Sequence, residues 1–186
     1  MIDDIRRDAE ARMRKTVDAM RDEMSRIRTG RASTALLDHL SVDYYGAPTP
    51  LNRVATVAVA DARTLTIQPW EKSSMEAIEK AILESDLGLN PVTAGAVMRV
   101  ALPPMTEERR RELGKMVRRE GENGRVAVRN IRRDAIHTAR ELLKEKEISQ
   151  DQEKRAESAL QALTDQYIAA IDGVVADKEK EVTEVQ

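Results

Sequence analysis

The chain has 186 residues and a formal net charge of −2, with 34% charged residues, 2% aromatic residues, no Phe and no Cys. The absence of Cys excludes disulfides, thiol chemistry and thiolate-bound metals, and a stock of Ala, Leu, Ile, Val and Met with so few aromatics suits packed helices better than a β-sandwich. No apolar run reaches the roughly 18 residues of a membrane span, and the opening "MIDDIRRDAE" is charged from its third residue, unlike a secretory signal. A soluble, cytoplasmic protein is therefore expected.

In chain order, Ile5, Ala9, Met13, Val17, Met20, Met24 and Ile27 recur at spacings of three and four, one face of a helix that ends at Thr29-Gly30. The three methionines on that face are expected in a core. A different kind of sequence follows. All six prolines (Pro48, Pro50, Pro69, Pro91, Pro103 and Pro104) lie between residues 31 and 105. There, β-prone stretches at 41–45, 53–59, 64–68 and 96–102 surround one helical segment at 73–85. The glycines of "SDLGLNPVTAG" (85–95) read as turns. This is a compact α/β module inserted into a helical protein, and its two connections, "TGR" at 29–31 and "LPPMT" at 102–106, must lie near each other. Gly30 permits unusual backbone angles while Pro103-Pro104 stiffens the return, a pairing suited to a hinge.

Thr106 then reads as the N-cap of a second helix, with Glu107 and Glu108 favoured in its first turn by the helix dipole. Its stripe runs through Leu113, Val117, Gly121, Gly124, Val128, Ile131, Ala135, Thr138 and Leu142. A third helix opens at Ser149, with Gln152 as capping-box partner, and continues through Leu160, Leu163, Tyr167, Ala170 and Val174. Three long amphipathic helices bury their stripes most simply against one another.

No catalytic constellation emerges. His39 and His137, the only histidines, fall in different segments and read as ordinary surface or packing residues. There is no HExxH, GxxxxGK[ST] or GxSxG pattern. Tyr44-Tyr45 are read as one ring toward a small core and one toward solvent, and Trp70 receives no role. The informative feature is the second helix, where ten Lys or Arg between Arg109 and Arg133 face three Glu. Arg118, Arg125, Arg129 and Arg132 each follow a stripe residue by one position and form a ridge. Arg129, Arg132 and Arg133 have no acidic neighbour three or four residues away, and like charges at that spacing cost roughly 0.2–0.5 kcal/mol per pair. The compensating charge must come from elsewhere. Either the third helix supplies it, since residues 149–186 carry nine acids against four bases, or a polyanion does, and a surplus of seven suits an RNA backbone. A scaffolding bundle that binds only protein through this ridge is the rival reading.

Five stretches carry a resemblance: "IRTGRAS" (27–33), "YYGAPTPL" (44–51), "SDLGLNP" (85–91), "LPPMTEERR" (102–110) and "RVAVRNIRRDA" (125–135). In these, and in their order and spacing, the chain resembles the bacterial ribosome recycling factor family along essentially its whole length. The resemblance implies an L-shaped α+β protein. An elongated three-helix bundle (1–30 and 105–186) would carry an inserted β/α/β domain (31–104) on a hinge at Gly30, Arg31, Pro103 and Pro104. It implies binding of the post-termination 70S ribosome through large-subunit ribosomal RNA, and dissociation into subunits with elongation factor G and GTP. It also implies no enzymatic activity, cofactor, metal or membrane partner, and a monomer. The bundle positions that match RNA-contacting arginines are Arg110, Arg129 and Arg132, with Arg133 adjacent. Thr34 stands where many members carry proline after "RAS".

Overall fold

The computed structural model describes residues 1–184. Helices α1 (Ile2–Arg26), α3 (Glu107–Lys144) and α4 (Gln150–Glu184) flank a segment with six strands and one helix. Two compact units result: Met1–Arg28 with Glu108–Val182, and Thr29–Glu107. Thr29, Gly30 and the residues from Met105 to Glu107 thus group with the strands.

The helical unit follows its apolar spacing. On α1, Ala9, Met13, Val17, Met20 and Met24 are buried. On α3, a helix of 38 residues and roughly 57 Å at 1.5 Å per residue, Leu113, Val117, Gly121, Gly124, Val128, Ile131 and Ala135 are buried. The stripe then moves to Ala139. Thr138 is exposed, and its hydroxyl donates to the Asp134 carbonyl one turn back. On α4 the buried positions are Ala156, Leu160, Leu163, Thr164, Ile171, Val175 and Val182. Ala170 and Val174, expected on the stripe, are half-buried beside it. In both places a 3.6-residue repeat drifts by one position over a long helix, and the contacting partners choose which of two adjacent residues turns inward.

Helix α3 stops because the chain enters the left-handed region at Lys146 (φ +61°). The Glu147 and Lys146 N–H groups return to the Leu142 and Leu143 carbonyls at 2.9 and 3.0 Å, a Schellman closure. Helix α4 opens with the expected capping box: the Gln152 side chain accepts from the Ser149 N–H at 2.9 Å, and the Ser149 hydroxyl accepts from the Gln152 N–H at 3.2 Å.

The second unit holds a hairpin of β1 (Ser41–Tyr44) and β2 (Ala47–Pro50). It also holds an antiparallel sheet ordered β3 (Ala55–Asp61), β4 (Thr64–Pro69), β6 (Val97–Ala101) and β5 (Asn90–Ala94). Helix α2 (Met75–Glu84) touches β1 of the hairpin and β5 of the sheet. Alternation along β4 and β6 sends Leu65, Ile67, Met98 and Val100 into one core with Ile78 and Ile82 of α2 and Val42 of β1. Strands β2 and β5 were not expected. Their sequences, "APTP" and "NPVTA", carry prolines, and proline is tolerated only where a ladder N–H is dispensable; β5 is an edge strand and β2 half of a two-stranded pair. Gly95 does lie in a turn and Gly88 directly follows one at Asp86-Leu87, but most of the stretch between the two glycines is β5.

Candidate nucleic-acid interface

Side chains of α4 decide which arginines of α3 keep their charge free. Arg125 lies between Asp172 of α4, 2.7 Å away, and Glu122 of its own helix, 3.2 Å away. The Asp172 hydrogen bond is the larger cause of its guanidinium being held further above its ordinary basicity. Arg118 reaches Glu179 of α4 at 3.5 Å, and Arg140 reaches Glu157 at 3.2 Å. For Arg118 and Arg125 the third helix therefore supplies compensating charge, and these two leave the expected ridge.

The other arginines differ. Arg129 meets Glu122 at 3.5 Å, an acid seven residues back, two turns away and outside the window of three or four residues that the sequence argument used. The pair is exposed on both sides, 41% and 57%, as is Arg118–Glu179 at 61% and 39%, and such pairs contribute about 0–1 kcal/mol; what sets Arg129 apart is that its partner lies on its own helix and not on α4. Arg132 is half-buried and donates to the neutral Gln161 side chain at 2.9 Å, while Gln161 donates to Asp165 at 2.8 Å. A neutral acceptor orients the guanidinium without cancelling its charge. Arg133 is exposed and has no hydrogen bond or ion pair among the described residues. Arg132, Arg133, His137 and Arg140 rim a groove of about 500 Å³ with Ile136 and Gln161. Arg110, half-buried in the first turn of α3, stands roughly 28 Å along the helix from Arg129.

One basic feature escaped the sequence argument. Arg26 and Arg28, at and just past the end of α1, meet Arg109 and Arg119 of α3 around a cleft of about 400 Å³ floored by Ile27, Leu113 and Met116. Arg26 pairs with Glu23 and Arg109 with Glu112, both at 3.0 Å. Arg28 and Arg119 have no ionic partner among the described residues. No local motif announces this cleft, because its two walls are some eighty residues apart in the chain.

The expected hinge positions are structurally distinctive. Gly30 has φ +78°, and a Cβ there would stand 2.9 Å from Met105 Cγ. The Ala32 N–H donates to the Ala62 carbonyl, and the Leu102 N–H to the neighbouring Arg63 carbonyl, both at 2.8 Å. The β3–β4 turn thus holds both connections, one residue beyond Arg31 and one before Pro103. The turn itself is fixed by Asp61, whose carboxylate accepts the Arg63 N–H at 2.9 Å; that bond and the Thr64 hydroxyl lower its pKa. Thr34 is the first residue of a 3-10 turn capped by Ser33. That is a position proline can fill, since no N–H is needed there.

Elsewhere, His39 is exposed in the other unit from His137, and no group of three or more metal-ligating side chains occurs among the described residues. No helix there is long and apolar enough to cross a membrane.

The family model for "Ribosome recycling factor" matches residues 20–182. The chain is 60% identical over 185 residues, and over the full length of both proteins, to the ribosome-recycling factor of Legionella pneumophila (strain Paris). It is 56% identical, again over full length, to that of Thioalkalivibrio sulfidiphilus. Among solved structures, a solution structure of a ribosome recycling factor shares 44% identity at a TM-score of 0.68, covering 99% of this chain and 98% of that one. A T. thermophilus ribosome recycling factor, described with E. coli elongation factor G on the E. coli post-termination complex, shares 45% identity at a TM-score of 0.61, covering 98% of both chains.

Proposed function

The chain belongs to the ribosome recycling factor family, a family of translation factors and not of enzymes. From that membership we propose that it binds the post-termination ribosome and, with elongation factor G and GTP, promotes its dissociation into subunits. It acts in the cytoplasm and as a monomer. The observation that carries the reading is the groove at Arg132 and Arg133. Acids of α4 pair with Arg118 and Arg125 on one side and with Arg140 on the other, yet among the described residues α4 offers Arg132 only an amide and Arg133 nothing. Charge left uncompensated within the bundle is what a phosphate backbone requires. Arg110 and Arg129 extend this RNA-binding surface over large-subunit ribosomal RNA.

The helical segments 1–30 and 105–186 serve as the ribosome-binding domain, and 31–104 as an inserted domain that reorients about Gly30, Arg31, Pro103 and Pro104. The positive φ of Gly30 and the two hydrogen bonds to the β3–β4 turn support a pivot confined to these residues.

Light scattering of purified post-termination ribosomes, with and without elongation factor G and GTP, tests the reading. Splitting should require all three components. Arg132→Glu with Arg133→Glu should weaken ribosome cosedimentation at least tenfold and flatten its dependence on salt, because two phosphate contacts are lost. Binding unchanged in this double variant, or insensitive to salt in the parent, would favour a scaffold that engages protein only.

A further inference from the structure

The β1–β2 hairpin ends in a two-residue turn, Tyr45-Gly46, with Tyr44 paired to Ala47. Both turn residues have positive φ, 51° and 82°, the pattern of a type I′ turn, for which Asn-Gly or Asp-Gly is the natural choice. The chain instead places a tyrosine where an aromatic side chain is strained, and that tyrosine is 81% exposed. The turn does not need the ring, and no core receives it.

The ring is nevertheless fixed. Tyr44 and Tyr45 donate their hydroxyls to the two oxygens of Glu71, at 2.7 and 2.8 Å, and the rings meet edge to face with centroids 4.5 Å apart. Asp43 adds a second carboxylate at the turn, accepting the Gly46 N–H at 2.9 Å. Neither Glu71 nor Asp43 has a cationic partner among the described residues. The surrounding segment, 29–107, carries nine Asp or Glu against six Lys or Arg, opposite in sign to the basic face of α3. A phenol that donates to a carboxylate has an electron-enriched ring, and an exposed ring face attracts a cation. Anionic charge beside it repels phosphate.

We propose that this corner (Tyr45, supported by Tyr44, Glu71 and Asp43) is a docking point for an arginine or lysine side chain of a protein component of the ribosomal complex, and not for RNA. The proposal rests on the ribosomal reading given above. It separates the molecule's two contact chemistries: the bundle arginines take phosphate, and the hairpin tip takes a cationic protein surface.

Tyr45→Asn gives the sharpest test, because Asn-Gly suits the turn and the variant should melt at or above the parent temperature. Its subunit-splitting rate with elongation factor G and GTP should nevertheless fall at least tenfold, whereas Tyr45→Phe, which keeps the ring, should fall no more than about threefold. Glu71→Gln should slow splitting several-fold. A faster rate in that variant would indicate a phosphate partner and overturn the proposal, as would parental splitting by Tyr45→Asn. Tyr45→p-benzoylphenylalanine, irradiated in the full chain on ribosomes, should cross-link to a polypeptide; a cross-link that ribonuclease removes refutes the assignment. Failure of the parent chain itself to split ribosomes would remove the functional reading and this proposal with it, and is read separately from every variant.

Discussion

Replacing Gly121 with Ala sets two known effects against each other. In a helix interior Ala is favoured over Gly by about 1 kcal/mol, so a glycine facing open space should yield a stabilised variant. At Gly121 the new Cβ would lie 2.5 Å from Val175 Cγ2 on α4, far inside contact distance. Val175 is buried, and a β-branched residue in a helix has essentially one rotamer, so relief requires α3 and α4 to part. Overpacking of this kind costs about 1–3 kcal/mol, which leaves Gly121→Ala destabilised by about 1 kcal/mol net. Gly114 supplies the control, since the nearest atoms its Cβ would meet belong to the exposed Arg118 guanidinium, at 3.4 Å and beyond, and Gly114→Ala should gain about 1 kcal/mol. For a bundle of this size 1 kcal/mol is about 4–8 °C, so helical melting followed by circular dichroism should separate the two variants by roughly 10 °C. In the double variant Gly121→Ala with Val175→Ala the loss should be smaller than the sum of the single losses, by about 1–2 kcal/mol of coupling. If Gly121→Ala melts at or above Gly114→Ala, close helix approach is not why glycine occupies the α3 stripe.

Arg125→Ala should cost about 1 kcal/mol in urea denaturation, because Asp172 and Glu122 lose a guanidinium that is only 22% exposed, whereas Arg133→Ala should stay within about 0.5 kcal/mol of the parent; equal losses would contradict the pairing pattern. Gly30→Ala forces an L-residue to φ +78° against Met105 and should cost about 1–2 kcal/mol, visible as a lowered midpoint in the fluorescence of Trp70, the single tryptophan; an unchanged midpoint would mean that the connection relaxes freely. The tyrosine hydroxyls lower the pKa of Glu71 below its ordinary 4.5, so its stabilising effect is present above pH 4.5 and lost as pH falls through the lowered value. Glu71 in turn raises Tyr44 and Tyr45 above 10.0, so their share is present below pH 10 and lost as pH rises through the raised values. The Trp70 melting advantage of the parent over Glu71→Gln should therefore shrink at both extremes, and a constant advantage from pH 3 to 11 would show that the corner carries no such linkage.

The sequence by itself determined the elements whose physics is local. Apolar spacing specified α1, α3 and α4 because one helical face must be buried whatever lies against it, and the Ser149–Gln152 box fixed the start of α4 because both partners lie within one turn. The β-prone residues of β1, β3, β4 and β6 marked these strands, since β-branched and aromatic side chains fit a pleated backbone whatever it pairs with. Tertiary structure decided the rest. Strands β2 and β5 exist because an edge position excuses the missing N–H of Pro48, Pro50 and Pro91, and edge position is a property of the sheet, not of the segment. The buried positions near Ala139, Ile171 and Val175 depended on which neighbour each long helix met. The fate of each arginine was the least local question: Arg125, Arg132 and Arg133 are all basic residues on one helix, and only the placement of Asp172 and Gln161 on α4 makes the first a structural ion pair, the second an oriented free charge, and leaves the third open to solvent. Charge composition marked the helix, but pairing acts over a few ångströms between residues dozens of positions apart, and the packed bundle alone sets those distances.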